Sequence, residues 1–342
     1  MTKEKVRKTF TFDGKRYTVR GDTEVDAEVK KALKIKELEE GRIVLSGDMT
    51  LNDWAEECIA TYKTGVADIT LRKYKNRINC CILKYIGDKK LKTIKPLQLQ
   101  QVLNNQQGKS KCQIKETHQA LKLLFSKAKA NHLIPSDPSI DLVEPAGTKT
   151  YRRALSEYEE EIFVKSASSD SHFMVFLLMY YCGCRPSEAQ EAQGRDLMIV
   201  EGYPILHIRG TKTKAADRQV PIPRELYELI KDTPPFDYIA PNMAGNKHTE
   251  KSYQRAWKNL KREMNIEMGC KVYRNELIPP FPLAVDLVPY CLRHTYCTNL
   301  QKKDVDLRTA QYLMGHTDIK MTANIYTHAD TSTILKAAEK IV

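Results

Sequence analysis

A chain of 342 residues, 42% of them hydrophobic, can build two domains with cores of their own, which excludes a disordered or fibrous protein. Its longest strongly apolar run covers residues 173–184, short of the roughly 20 that a membrane-spanning helix needs, and the first residues lack the apolar core of a signal peptide. The expectation is a soluble, cytoplasmic protein with no membrane partner; nine cysteines at no zinc-like spacing predict reduced thiols and no structural metal, and a net charge of +12 predicts an anionic partner.

Residues 9–19 alternate apolar and polar around Asp13-Gly14, the pair favoured in tight hairpin turns, and a charged helical stretch follows over 25–40. A hairpin and one helix bury little surface, so residues 1–45 read as a small accessory module. From Thr50 the spacing turns helical, with Leu51, Trp54, Ala55, Cys58 and Ile59 on one face. Further helices are predicted over 70–84, 95–105 and 115–131 before Leu133-Ile-Pro-Ser-Asp-Pro and Glu144-Pro-Ala-Gly mark a linker. Residues 48–145 thus form an all-helical domain, and it holds the charge: 16 Lys/Arg stand against 3 Asp/Glu between Thr61 and His132, with Tyr62, Tyr74 and Tyr85 interspersed. Each phosphate neutralised by such a segment releases condensed counterions, so a nucleic acid suits it. Lys73, Lys75, Arg77, Lys115 and Lys122 are the candidate contacts. The bland alternative is a soluble helical domain that is merely lysine-rich.

A second unit opens near Leu155, where Ser156 and Glu159 make a capping-box signature for a helix through Lys165. The helix predicted over 173–181 is apolar on every side and belongs at the centre of a core. Residues 198–208 read as a hairpin turning at Glu201-Gly202, and 218–222 supply a third antiparallel strand. Helices resume over 225–231, 251–264 and 295–302, and 271–287 looks like an inserted hairpin around Pro279-Pro280. The fold class expected is multidomain and mainly α, with an α+β domain over 150–330.

Three islands carry the chemistry: Cys182-Gly-Cys-Arg-Pro-Ser-Glu-Ala, Thr211-Lys-Thr-Lys-Ala-Ala-Asp-Arg, and Leu292-Arg-His-Thr continuing to Leu313-Met-Gly-His and Ala323-Asn-Ile-Tyr. Singly each is weak, since an arginine after a buried helix usually caps or pairs, and a late tyrosine usually packs. In this order, with His316 ten positions before Tyr326, they resemble the tyrosine recombinase family of phage and conjugative-transposon integrases over residues 48–330.

The resemblance implies that Arg185 and Arg293 are paired guanidiniums on a scissile phosphate, with His316 a hydrogen-bond partner to it and Tyr326 the nucleophile that forms a 3′-phosphotyrosine. Lys212 would protonate the leaving oxygen, with Lys214 the alternative, and Glu188 would support the site from behind. No metal or other cofactor is implied. It further implies a clamp of the helical and catalytic domains on core-site double-stranded DNA, a homotetramer on DNA, and arm-site binding by the N-terminal module. An excisionase or host architectural protein would be a further partner, and a tail, 331–342, would be exchanged between protomers. Where the family carries a histidine three residues before the second arginine, this chain has Tyr290, which can donate a hydrogen bond to phosphate but cannot act as a near-neutral acid or base.

The residue types suit that chemistry. Two bidentate arginines meet the negative charge that spreads over a phosphodiester under attack. A phenol with a reference pKa of about 10 needs a cationic site to lose its proton, and a 5′ oxygen leaves readily only when protonated. The covalent intermediate conserves the bond energy for rejoining. The rivals are a non-catalytic DNA-binding protein of the same fold and a type IB topoisomerase.

Overall fold

Alternation in the first segment produces a hairpin, β1 (Val6–Phe12) against β2 (Lys15–Gly21), with Phe10 opposite Tyr17 and their rings stacked at 5.6 Å. A helix, α1 (Glu24–Glu39), lies against both strands. The computed structural model describes residues 5–12, 14–39, 49–148, 152–210 and 214–326, and the chain divides into two compact units, Met1–Thr150 and Tyr151–Val342. Asp13, Lys212 and the tail 331–342 therefore lie outside the described residues.

The helical part of the first unit starts where Thr50 and Asp53 form a reciprocal capping box on α2 (Leu51–Tyr62). α3 (Asp68–Ile78) runs through a π-helical turn, Asn79–Leu83, into the short α4 (Lys84–Ile86), so the stretch predicted over 70–84 is longer at both ends. α5 (Pro96–Asn104) has proline in its first turn, where no intrahelical N–H is lost. α6 (Lys111–Ala130) begins four residues before the predicted start because Ser110 caps it, accepting from the Gln113 N–H. Leu51, Trp54, Ile78, Ile82, Leu99, Leu121 and Phe125 fill the core, and the Trp54 indole donates to the Leu124 carbonyl at 2.8 Å, tying α2 to α6. Emptying such a site, as in Phe125→Ala, costs roughly 3–5 kcal/mol.

In the second unit the Ser156–Glu159 box opens α7 (Glu157–Ser168), and α8 (Met174–Cys182) is the central buried helix, packed on α7. The short α9 (Pro186–Glu191) follows. A three-stranded antiparallel sheet comes next, β3 (Leu197–Val200), β4 (Tyr203–Ile208) and β5 (Arg218–Pro221), in that order, its first turn made by Glu201 and Gly202 at positive φ. α10 (Arg224–Ile230) and α11 (Glu250–Glu267) precede a two-residue ladder, β6 (Val272–Tyr273) with β7 (Glu276–Leu277). The inserted hairpin is therefore present, but it turns at Arg274 and Asn275 rather than at the proline pair.

Three helices close the unit: α12 (Pro289–Lys302), α13 (Leu307–Met314) and α14 (Ile319–Tyr326). α12 starts six residues before the predicted 295, because Pro289 is preorganised for a first helical position. The Leu292-Arg293-His294 island is thus helical and packs on α8. Among the described residues, no helix is long and apolar enough to cross a membrane.

Candidate active site

α8 stops at Gly183, whose left-handed backbone (φ 60°) turns the chain and whose missing side chain lets Tyr296 close in; a Cβ there would lie 2.3 Å from that ring. Two residues on, Arg185 caps α9. Its main-chain N–H donates to Glu188 Oε2 at 2.8 Å and its guanidinium to Glu188 Oε1 at 2.5 Å. Arg293, on α12 and 3% exposed, donates to the carbonyls of Gly183 and Met314.

A third guanidinium completes the cluster. Arg218, the first residue of β5 and 2% exposed, donates from Nε to the Leu313 carbonyl at 2.7 Å, from Nη1 to Ala216 at 3.0 Å and from Nη2 to Glu188 Oε2 at 2.9 Å. Three successive carbonyls at the end of α13 are each taken by a different arginine: Leu313 by Arg218, Met314 by Arg293, and Gly315 by Arg185 at 2.7 Å. The last carbonyls of a helix have no intrahelical partner and carry partial negative charge, so they draw cations. α13 ends at Gly315, whose left-handed backbone (φ 62°) turns the chain, and a side chain there would clash, since a Cβ would sit 2.7 Å from Arg218 Nη1.

Glu188 is the carboxylate that all three arginines share, Arg293 Nη1 lying 3.9 Å from it. Burial opposes its charge, but Arg218 and then Arg185 outweigh burial and hold its carboxyl below the ordinary value. Burial, reinforced by Arg185 and Arg218, pushes Arg293 down to about 10, which still leaves it charged at neutral pH. Three guanidiniums against one carboxylate leave two positive charges uncompensated, which suits a phosphate.

Beyond the end of α13, His316 is buried with Nδ1 2.9 Å from Thr322 Oγ1. Burial, followed by Arg293, Arg185 and Arg218, pushes its pKa down to about 4, so the imidazole is neutral at pH 7. Tyr326 ends α14, its hydroxyl donating to the Val305 carbonyl at 3.3 Å and its own carbonyl accepting from Gln301 Nε2 at 3.0 Å. Burial, with Cys297 and Asp306 nearby, raises this phenol above its ordinary value, so it is protonated as placed.

Arg185, Glu188, Arg293 and His316 thus come together, as Arg218 and Thr322 do with them. Arg218 was absent from the expected set, yet it left a signal: in β5, buried and exposed residues alternate, and Arg218 shares the inward face with Val220. A charge at an inward position demands partners. Lys212 lies outside the described residues, and Lys214 opens a short 3₁₀ turn, Lys214–Ala216. Tyr290, 42% exposed, has the Arg152 guanidinium 5.9 Å from its ring centre.

In the helical unit Lys73, Lys75, Lys115 and Lys122 are exposed, whereas Arg77 is half-buried and paired with Glu116 at 2.7 Å. Lys63 sits over the Tyr74 ring at 4.4 Å, Lys127 over Tyr62 at 4.6 Å and Lys84 over Tyr85 at 6.0 Å, so all three interspersed tyrosines serve as platforms for lysines. Lys63, Tyr74 and Lys122 line one open cavity of about 660 Å³. Among the described residues, no three His, Cys, Asp or Glu side chains are grouped to hold a metal ion.

Comparison with known proteins gives the family of the chain. Residues 149–333 match the model of the phage integrase family, and residues 50–106 match that of the phage integrase N-terminal SAM-like domain. A tyrosine recombinase XerC-like protein of Caldanaerobacter subterraneus subsp. tengcongensis is 26% identical over 351 residues, covering 90% of this chain and 86% of that one. The tyrosine recombinase XerD of Halalkalibacterium halodurans is 26% identical over 228 residues, covering 65% and 73%. The fold is similar to that of the Tn1549 transposon integrase in complex with circular intermediate DNA (TM-score 0.64, 20% identity, 85% of this chain and 99% of that one). It is also similar to that of a lambda integrase dimer bound to a core site (TM-score 0.63, 18% identity, 94% of each). The family model for the second unit alone spans more than half of the sequence, and the chain belongs to the phage integrase family, the tyrosine recombinases.

Proposed function

We propose that this recombinase cuts and rejoins duplex DNA at specific sites with Arg185, Arg293 and His316 on the scissile phosphate and Tyr326 as the nucleophile. The observation that carries the reading is the seating of three guanidiniums on three successive α13 carbonyls around one carboxylate. That bonding fixes the donors before substrate arrives, so little reorganisation is needed as charge develops on the phosphate. Tyr326 Oη bonds to phosphorus while the bond from phosphorus to the 5′ oxygen breaks. The phenol proton passes to solvent, and the departing oxygen takes a proton from the hairpin lysine, Lys212 or Lys214. Attack by a 5′ hydroxyl reverses the step and rejoins the strand. For Tyr326 to attack, its hydroxyl must leave the Val305 carbonyl.

The DNA-bound integrases of like fold support duplex DNA as the substrate, bound by the exposed lysines of α3 and α6. The lambda integrase tetramer on a Holliday junction supports a tetrameric assembly that exchanges strands between two sites of a mobile element. Arm-site binding by the β1–β2 hairpin, cooperation with an excisionase or host architectural protein, and action in the cytoplasm at the nucleoid belong to the same reading. The test begins by mapping the DNA that the protein protects, then presents that sequence as a nicked suicide duplex. A covalent adduct whose DNA-bearing peptide contains Tyr326 is expected. Protection without any adduct would leave a binding protein, and relaxation of supercoils without site preference would make it a topoisomerase.

A further inference from the structure

The hydrogen bond between His316 and Thr322 does more than pack a loop against a helix. A neutral imidazole carries one N–H, so whatever faces Nδ1 decides what Nε2 can offer. The residue at Nδ1 is Thr322, completely buried, its Oγ1 2.9 Å away. A hydroxyl can donate to Nδ1 or accept from it by rotating. If it accepts, Nε2 presents a lone pair, which repels a phosphate oxygen. If it donates, the proton sits on Nε2 and the ring becomes a donor to the phosphate.

Thr322 stands on α14 four residues before Tyr326, one turn away on the same side of the helix. The same hydrogen bond therefore joins the element bearing the nucleophile to the imidazole facing the arginine cluster. We propose that Thr322 is a positioning residue for strand cleavage: with DNA bound it donates to His316 Nδ1, fixes the Nε2–H tautomer that the phosphate requires, and links α14 to the phosphate site. This rests on the reading of His316 as a phosphate ligand. In its bound state Thr322 needs only a hydroxyl at that spot, so serine suffices and the isosteric valine does not.

The test compares the native protein with Thr322→Val and Thr322→Ser on the nicked duplex defined above. Thr322→Val should slow adduct formation roughly 10- to 100-fold, less than the ~10²–10³ typical when a transition-state donor is removed outright. Thr322→Ser should return it to within a few-fold of native. A purely structural role would not predict a tautomer change, so the second readout is the ¹⁵N spectrum of histidine-labelled protein carrying Tyr326→Phe, bound to the same duplex uncut. His316, assigned by its loss in His316→Gln, should show a protonated Nε2 and an unprotonated Nδ1, and Thr322→Val should mix or reverse the two. A native rate for Thr322→Val, or a proton on His316 Nδ1 in the bound Tyr326→Phe protein that keeps Thr322, overturns the proposal. Absence of adduct from the native protein would instead count against the recombinase reading, and the ¹⁵N spectrum would still decide the tautomer.

Discussion

Arg218 and Glu188 meet at 2.9 Å with neither side chain more than 8% exposed, joining the root of the lysine-bearing hairpin to the helix capped by Arg185. Removing one partner of a buried pair strands the other charge, at roughly 3–5 kcal/mol. Arg185 remains on Glu188, so the lower end applies, and Arg218→Met is expected to lower stability by about 3 kcal/mol in urea unfolding. Adduct formation should fall as well, because Leu313 and Ala216 lose their donor. A loss under about 1 kcal/mol would show that the pair contributes no more than an exposed one.

Stability should also decline on mild acidification. His316 has a folded pKa of about 4 against an unfolded value near 6.5, so the unfolded chain binds the extra proton first. Its contribution is complete above about pH 6.5 and is lost as pH falls toward 4, amounting to roughly 3 kcal/mol. Glu188, with its carboxyl depressed, contributes above its unfolded value near 4.3 and is lost as pH falls further, through its folded value. Urea midpoints between pH 7 and 4 should fall less in His316→Gln than in native protein, the remaining decline coming from His248 and His294, whose pKa values burial also lowers. Parallel profiles would place the titrating group elsewhere.

What could be read from the chain alone followed from how local each signal is. The capping box at Ser156, the Glu201-Gly202 turn and the apolar α8 are set by neighbours a few residues apart, and each stands where it was expected. The start of α12 was not legible, because its island of polar and catalytic residues breaks the apolar periodicity that marks a helix. α13 and α14 went unpredicted for another reason: at eight residues each they are too short for a helical period to show, even though Ala310, Leu313 and Met314 do share one buried face. The arginines were recognisable by family resemblance, but their seating on the α13 carbonyls depends on pairings across up to 130 residues, which no spacing encodes. Arg77, a candidate DNA contact from composition, has a partner that composition does not reveal, the Glu116 carboxylate at 2.7 Å.

Lys73, Lys75 and Lys122 therefore make a cleaner test of the basic face than Arg77. Changing all three to Gln should weaken binding to every DNA sequence alike. The slope of log K against log salt should fall by about 0.9 for each phosphate that the protein no longer neutralises. An unchanged slope would mean that these lysines face away from the DNA.

Tyr290 occupies the position where the family carries histidine, and its side chain is exposed. Tyr290→His should cleave at or above the native rate. Tyr290→Phe removes only the hydroxyl and should slow cleavage if that group reaches the phosphate. Equal rates for tyrosine and phenylalanine would reduce the position to packing beside Arg152.

Tyr326→Phe separates the chemistry from the scaffold. The residue contributes a ring packed on the core of the second unit and one 3.3 Å hydrogen bond to Val305. Phenylalanine keeps the ring, and a single bond of that length is worth at most about 1 kcal/mol net, so the melting curve should scarcely move. The hydroxyl touches none of the three arginines here, so the phosphate site is left as it was and DNA binding should persist. The covalent adduct, in contrast, has no other oxygen to form through. Tyr296 is packed against Gly183 with its phenol raised by burial, and the Tyr312 hydroxyl already accepts from the Gln219 N–H at 3.0 Å. Complete loss of adduct with unchanged protection of the DNA is the expected result on the nicked duplex. Undiminished adduct would falsify the assignment of the nucleophile and move it to Tyr312, the more exposed of the two remaining tyrosines.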